Sequence, residues 1–453
     1  IEQDLLKRKL QIQLYQMESV PHFEHNPAYY VNVLSSSLFD LMMSPDHTDS
    51  EKVHCILKRL EGFPTLIEQA KENLQKPIEL WTSIAKDEIQ GLFSYIKEVI
   101  EPYLKSQNQI ATQVIQNATE AIFTLKHHLN ELKTFRKDFA IGQDNFEFIL
   151  KTFHGIDSSA NEIKEIGFKQ LDEISKQLSE QAEKIDPTKS WQQIIEDLKN
   201  SYPSEDDLLT AYQHKVKEIK KFLNDKDLVT VPPEETLKVI ETPAFLQSSI
   251  PYAAYSSPAM FAKTTQGIFF VSPVHGNKEL LKDHCNASFP LTTLHEAYPG
   301  HHLQFSVQKN LKSPIHKLYE VSSYYEGWTL YCEEMMYEQG FYDDGMRLFQ
   351  LKDKLWRAAR IIVDVSMQCY GMSDAEAAQF LVDNAKLSER GARIDVNWYT
   401  QYPTIPMSYL VGMLQVKEMR DDYVTKGNSL KEFHDAFLSC GAIPLNEVKK
   451  IIL

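Results

Sequence analysis

The sequence predicts a mainly α-helical, two-lobed protein with one small β element, and three observations lead there. From Ile1 to about Leu228, amphipathic stretches follow one another with only short polar breaks. The chain's 453 residues exceed the usual single-domain size of roughly 100 to 200, so two lobes are the natural expectation. Only "GIFFVSPV", with its aromatic and β-branched residues, reads as a short strand.

Taken in order, "PIELWTSIAKDEIQGLFSYIKEVIEPYL" follows Lys76, with Pro77 read as the first helical residue. "SANEIKEIGFKQLDEISKQLSEQAEKI" starts at Ser159 and ends at Asp186-Pro187. The Lys/Glu-rich faces of these helices read as solvated surface. The stretch "LVTVPPEETLKVIETPAFLQSSIPYAAYSSPAMF" then turns to Pro, Ser and Thr and marks a boundary. It separates an N-terminal helical lobe, residues 1–228, from a second helical lobe, residues 229–453, the two expected to share one cleft. Beyond it come helices through "SYYEGWTLYCEEMMYEQG" and "MRLFQLKDKLWRAARIIVDVSMQCY", a capping box from Ser373 to Glu376, and "WYTQYPTIPMSYLVGMLQVKEMR". No internal repeat is visible, which excludes a solenoid.

Composition narrows the classes of function. Hydrophobic residues at 43% and charged residues at 25% describe an ordinary globular chain. A formal net charge of -15 disfavours the phosphate backbone, so nucleic acid is not an expected partner. Cys55, Cys285, Cys332, Cys369 and Cys440 are scattered without CxxC spacing and read as reduced thiols. No apolar run approaches the ~20 residues that cross a bilayer, and "IEQDLLKRKLQ" lacks a signal peptide's apolar segment. The expectation is a soluble protein, cytoplasmic or exported with a trimmed leader.

The chemistry concentrates in "LTTLHEAYPGHHLQF". In an HExxH helix two histidines four residues apart converge on one ion while the glutamate sits beside water. Here His295 and Glu296 supply the first two elements, but the fifth position is Pro299 and the next histidines are His301 and His302. Proline has no N–H for the His295 carbonyl, so a helix through this point must bulge, kink or restart, and Gly300 eases it. An unbroken helix would put His302 two turns along the same face, ~10.5 Å away. A bulge absorbing two residues brings His301 into the role of second ligand and turns His302 aside. The reading favours His301 and keeps His302 as the alternative. A catalytic zinc ion commonly takes three protein ligands, and Glu326 on the next helix is the candidate third. Gly327 beside it would let that helix approach the histidine segment closely. Glu296 is then the general base. His284 and the His127-His128 pair have nothing spaced to complete a site and read as structural or exposed.

At these residues the sequence resembles the bacterial family catalogued as domain of unknown function 885. Its HE-x-x-PGHH pattern is met by His295, Glu296, Pro299, Gly300, His301 and His302, and its EGW-x-LY-x-E by Glu326, Gly327, Trp328, Leu330, Tyr331 and Glu333. Its R-A-A-R-x-x-x-D is met by Arg357, Ala358, Ala359, Arg360 and Asp364. The resemblance implies a zinc-dependent peptidase of the HExxH-plus-Glu type. The implied fold is largely helical and zincin-like, similar in plan to the angiotensin-converting-enzyme and thermostable-carboxypeptidase groups. Two departures stand out: Gln368 where the family usually has a histidine, and Pro403, Thr404 and Ile405 where it has P-G-Q. Gln368 still offers a hydrogen bond to substrate but cannot carry a proton's charge.

Around this frame, Tyr409 and then Tyr399 are candidates to stabilise a tetrahedral oxyanion, with buried core aromatics as the plain alternative. Arg357 and Arg360 could take a substrate's terminal carboxylate, the plainer reading being an Arg360–Asp364 pair one turn apart. "GIFFVSPV" could receive an extended peptide along its edge. The expected protein is a zinc metallopeptidase with a peptide substrate. The competing readings are a noncatalytic peptide-binding scaffold and a metal-dependent hydrolase of another amide or ester.

Overall fold

Helix starts follow the capping chemistry written in the sequence. Thr48, Ser159, Ser190, Ser373 and Ser429 each accept a bond from the backbone N–H three residues on, while the Glu or Gln side chain there accepts one from the cap's own N–H. The computed structural model describes residues 1–20, 22–44, 47–243, 247, 250 and 252–453. It is mainly helical, with one three-stranded sheet. Among the described residues no helix is long and apolar enough to cross a membrane.

The chain divides into two compact units, one of residues 13–140 and one of residues 1–12 with 141–453. The division therefore does not fall near residue 228, where the sequence composition changes. Part of that Pro/Ser/Thr-rich stretch, residues 244–246, 248–249 and 251, lies outside the described residues. The smaller unit holds α1 (Pro27–Met43), α2 (Asp49–Asn73), α3 (Glu79–Tyr95) and α4 (Thr112–Glu131). α2 packs along α4 and α1 against α3, burying Leu34, Leu38, Ile56, Leu60, Phe63, Ile122 and Leu125. Pro77 is not the first helical residue: Ile78 is the N-cap of α3, and the Pro77 carbonyl accepts the Arg136 N–H.

The larger unit contains α5 (Ala160–Ile185) and α6 (Leu208–Asp225), then β1 (Thr236–Glu241), β2 (Ala253–Ser256) and β3 (Gln266–Val271). It continues with α7 (Phe289–Glu296), α8 (His301–Lys309), α9 (Ser322–Glu338), α10 (Asp344–Tyr370), α11 (Glu389–Gln401) and α12 (Ile405–Thr425). α5 lies along α10, which is why residues 141–228 join this unit; α12 packs on both α9 and α10. In the sheet β3 is central, parallel to β1 and antiparallel to β2. The "GIFFVSPV" strand thus has both edges paired and cannot receive a peptide by strand addition; the sheet's edges are β1 and β2.

α9 and α10 are also joined by buried charge. Glu334 accepts bonds from Arg347 (3.1 Å), Lys354 (3.0 Å) and Gln350 (3.1 Å). Burial opposes its ionisation, but the Lys354 and Arg347 charges win and hold the carboxyl down at about 2. A carboxylate with a depressed folded-state pKa contributes stability that is complete above its unfolded value and is lost as pH falls through the folded one. We therefore expect about 3 kcal/mol of stability to disappear between roughly pH 4.5 and pH 2 on this group's account. Urea unfolding across that range should show it in the wild type and not in Glu334→Gln; equal pH slopes would refute the assignment.

Candidate metal centre

α7 ends where the proline forces it to. Glu296 is its last residue, Ala297 to Gly300 form the break, and α8 restarts at His301. The Tyr298–Pro299 peptide is cis. Across the break the Gly300 N–H reaches the Leu294 carbonyl (3.1 Å) and the Leu303 N–H reaches that of Ala297 (3.3 Å). Each bond spans six residues rather than the helical four, so two residues are absorbed. A Cβ at position 300 would lie 1.9 Å from the His295 carbonyl oxygen, which leaves glycine as the only residue that fits. The Trp328 indole N–H donates to the Pro299 carbonyl at 2.9 Å and ties the break to α9.

The geometry brings His295, His301 and Glu326 together and sends His302 elsewhere. Nε2 of His295 lies 3.6 Å, and Nε2 of His301 3.7 Å, from the same Glu326 oxygen, Oε2. Among the described residues this is the one grouping of three or more His, Cys, Asp or Glu whose ligand atoms all lie within 4.8 Å of one another. Glu326 Oε2 and His301 Nδ1 are buried with no hydrogen-bond partner. Buried acceptors left bare are costly, and a divalent cation accepting lone pairs from two imidazoles and a carboxylate removes that cost at Oε2. The donor set therefore fits a zinc ion.

The second imidazole nitrogen of His295 is bonded to Glu333 Oε1 at 2.9 Å. Such a carboxylate fixes which nitrogen would face a bound metal. Glu333 lies seven residues after Glu326 on α9, two turns along the same face, and that spacing is the signal by which sequence reasoning could have assigned it a role. Burial works against a charged His295, but Glu326 and Glu333 outweigh it and raise the imidazole to about 10; burial, helped by the His295 charge and against that of Glu326, lowers His301 to about 4. Glu296 is pushed up to about 7, chiefly by burial, with the Glu326 charge adding to it while His295 and the Tyr255 backbone amide pull the other way. That amide belongs to β2, an edge strand of the sheet.

His302 is fully buried and faces the sheet. Its Nε2 bonds Glu235 Oε2 at 2.6 Å and its Nδ1 the Tyr255 hydroxyl at 3.1 Å. Burial opposes the charge of Glu235, but His302, Lys220 and Tyr298 together bring its pKa down to about 2. Glu235 and Tyr255 carried no visible signal, being 67 and 47 residues from His302.

The remaining candidates separate. Tyr409 lies beside the Glu326 carboxylate, whose charged form its hydroxyl favours, and belongs to the cluster. Tyr399 does not: it is fully buried, donates to Asp395 (2.6 Å) and accepts from Arg360 Nε (2.7 Å). Arg360 is not paired with Asp364; its acidic neighbour is Asp395 at 3.9 Å, while Asp364 accepts from the Thr404 and Met407 backbone N–H groups at the start of α12. Gln368 is fully buried and spent on backbone, accepting from Ile141 N–H and donating to the Tyr399 carbonyl, so it is not available to a substrate. His284 bonds Tyr212 and stacks on Tyr252, a structural use.

Gly327 packs against α12, not against the histidine segment. A Cβ there would lie 2.6 Å from the Gly412 carbonyl carbon, and one on Gly412 only 2.1 Å from the Ser323 carbonyl oxygen. This glycine-on-glycine crossing is what lets Tyr409 of α12 reach Glu326 of α9.

The sequence profile of the family described as "Bacterial protein of unknown function (DUF885)" matches residues 1–452. No curated protein matches the chain. Among solved structures, a "putative lipoprotein of unknown function" from Shewanella oneidensis is similar with a TM-score of 0.79 at 22% identity, covering 99% of this chain and 86% of its own. A "putative lipoprotein" from Colwellia psychrerythraea is similar with a TM-score of 0.76 at 20% identity, covering 91% and 77% respectively. At these identities the likeness is one of fold.

The glycine crossing makes a direct prediction. Gly412→Ala must push α9 and α12 apart and should cost roughly 1–3 kcal/mol of unfolding free energy. An unchanged denaturation midpoint would show that the crossing is looser than described.

Proposed function

The chain belongs to the DUF885 family, and from the chemistry of its cluster we propose that it is a zinc-dependent hydrolase of peptide bonds, with His295, His301 and Glu326 as metal ligands. One observation carries this reading: two imidazole nitrogens converge on a single buried carboxylate oxygen that has no other partner. The helix break that pairs His295 with His301, followed by a glutamate on a later helix, supports reading the fold as a variant of the zincin-like metallopeptidase plan.

A bound zinc ion supplies Lewis acidity towards water and towards a substrate carbonyl oxygen. The rest is the work of this chain's own groups. Glu296 follows His295 directly and has a carboxyl raised to about 7, so it exchanges a proton readily near neutral pH. It accepts a proton from the attacking water and returns it to the leaving amine. Glu333 orients His295. Tyr409 lies beside Glu326 and is a phenol that can donate to negative charge developing on a substrate oxygen.

Two sets of variants test the proposal. In zinc-binding calorimetry, His301→Ala should abolish tight binding, Glu333→Gln should weaken it roughly 10- to 100-fold, and His302→Ala should retain it. Loss in His302→Ala with retention in His301→Ala would reverse the ligand assignment. Glu296→Gln should keep zinc and lose cleavage of a mixed-length peptide library by at least roughly 100-fold. Undiminished cleavage would remove Glu296 from the reaction, and no cleavage by the zinc-loaded wild type would refute the hydrolase reading.

A further inference from the structure

Beside the metal ligands, α10 carries two arginines on one indole. The guanidinium carbons of Arg357 and Arg360 lie 4.6 and 4.1 Å from the Trp356 ring centre. Arg360 is largely committed, with its Nε on Tyr399, a further nitrogen near Asp395 and its plane 5.0 Å from the Tyr409 ring. Arg357 is not. Its Nε is buried without a hydrogen-bond partner. Its Nη1 reaches only the Asp353 backbone carbonyl, at 3.3 Å, and stands 3.9 Å from that residue's carboxylate, which Lys352 already holds at 3.1 Å. The side chain keeps 15% of its surface exposed, so it is open on one side.

Its position matters because of what Tyr409 touches. The Tyr409 hydroxyl favours the charged form of the proposed ligand Glu326, and the charges of Glu326, Arg360 and Arg357 all act on that phenol. On the His301 side the half-buried rings of Phe305 and Tyr325 stand 6.0 and 6.1 Å from the imidazole. An arginine presents a planar fork of five N–H donors, and a fork with a bare buried donor binds a carboxylate in the paired geometry a lysine cannot offer.

We propose that Arg357 binds a carboxylate of the substrate close to the reacting amide, an inference that rests on the hydrolase reading, and that the preferred substrates are short peptides bearing that free acid. The carboxylate is either the peptide's C-terminus or an acidic side chain. Phe305 and Tyr325 offer an apolar face to a neighbouring substrate residue.

Four peptides separate the possibilities: Ala-Phe-Ala as free acid and as C-terminal amide, and Ala-Phe-Glu-amide against Ala-Phe-Gln-amide. Binding is measured by calorimetry on zinc-loaded Glu296→Gln protein, and kcat/KM on the zinc-loaded wild type. The acid of one pair should be favoured over its neutral partner by roughly 10- to 100-fold, the ordinary yield of a hydrogen bond to a charged group. Preference within the first pair assigns the C-terminus, within the second a side chain. Arg357→Gln should bring the ratio near one while Arg357→Lys keeps part of it, with unchanged unfolding curves showing that the fold survives. Equal treatment of both pairs by the wild type, failure to bind any of the four, or a ratio that persists in Arg357→Gln overturns the inference. Selective binding without cleavage would instead sink the hydrolase reading and leave the carboxylate site standing.

Discussion

The break between α7 and α8 is the constraint on which the rest of the centre depends. Proline removes one helical bond, and the two residues gained are closed over by backbone bonds that span six positions instead of four. The closure brings position 300 so near the His295 carbonyl that only a glycine can stand there. With the excess absorbed at this point, α8 restarts in a register that sets the His301 ring 4.9 Å from that of His295. Straightened, the same sequence would carry His301 away from its partner, and Glu326 would have one imidazole to meet instead of two.

Around that break the larger unit buries several carboxylates and gives each a distinct set of partners. Glu333 bonds His295, Glu235 bonds His302, Lys220 and Tyr298, and Glu334 meets Arg347 and Lys354. Burying a carboxylate without partners is prohibitive, so each acid constrains the helices or strands that supply its donors. α9 contributes Glu326, Glu333 and Glu334, and is therefore the element most tightly specified by charge as well as by packing. Its approach to α12 through Gly327 and Gly412 adds a steric condition that admits little freedom.

His302 shows how a side chain can leave one site while supporting it. It bonds Glu235, just ahead of β1, and Tyr255 on β2, and the Tyr255 amide in turn favours the charged form of Glu296. The small sheet is thus more than a cover for the core: Tyr255 on its edge strand and Glu235 just ahead of β1 anchor the imidazole that follows His301.

What the sequence determined by itself was local. The helical character, the Ser373 capping box, the interruption at Pro299-Gly300 and the pairing of His295 with Glu296 follow from backbone chemistry and spacing within a few residues: proline lacks an N–H, glycine lacks a Cβ, and helical periodicity repeats every turn. The choice between His301 and His302, the withdrawal of Gln368 and Tyr399 into backbone and side-chain bonds, the replacement of Asp364 by Asp395 and Tyr399 as neighbours of Arg360, and the place where the chain divides were decided by the tertiary structure. Each depends on which polar group from a distant segment reaches a buried partner, and that is settled by the packing of α5 on α10 and α9 on α12, long-range contacts that no short stretch of sequence encodes.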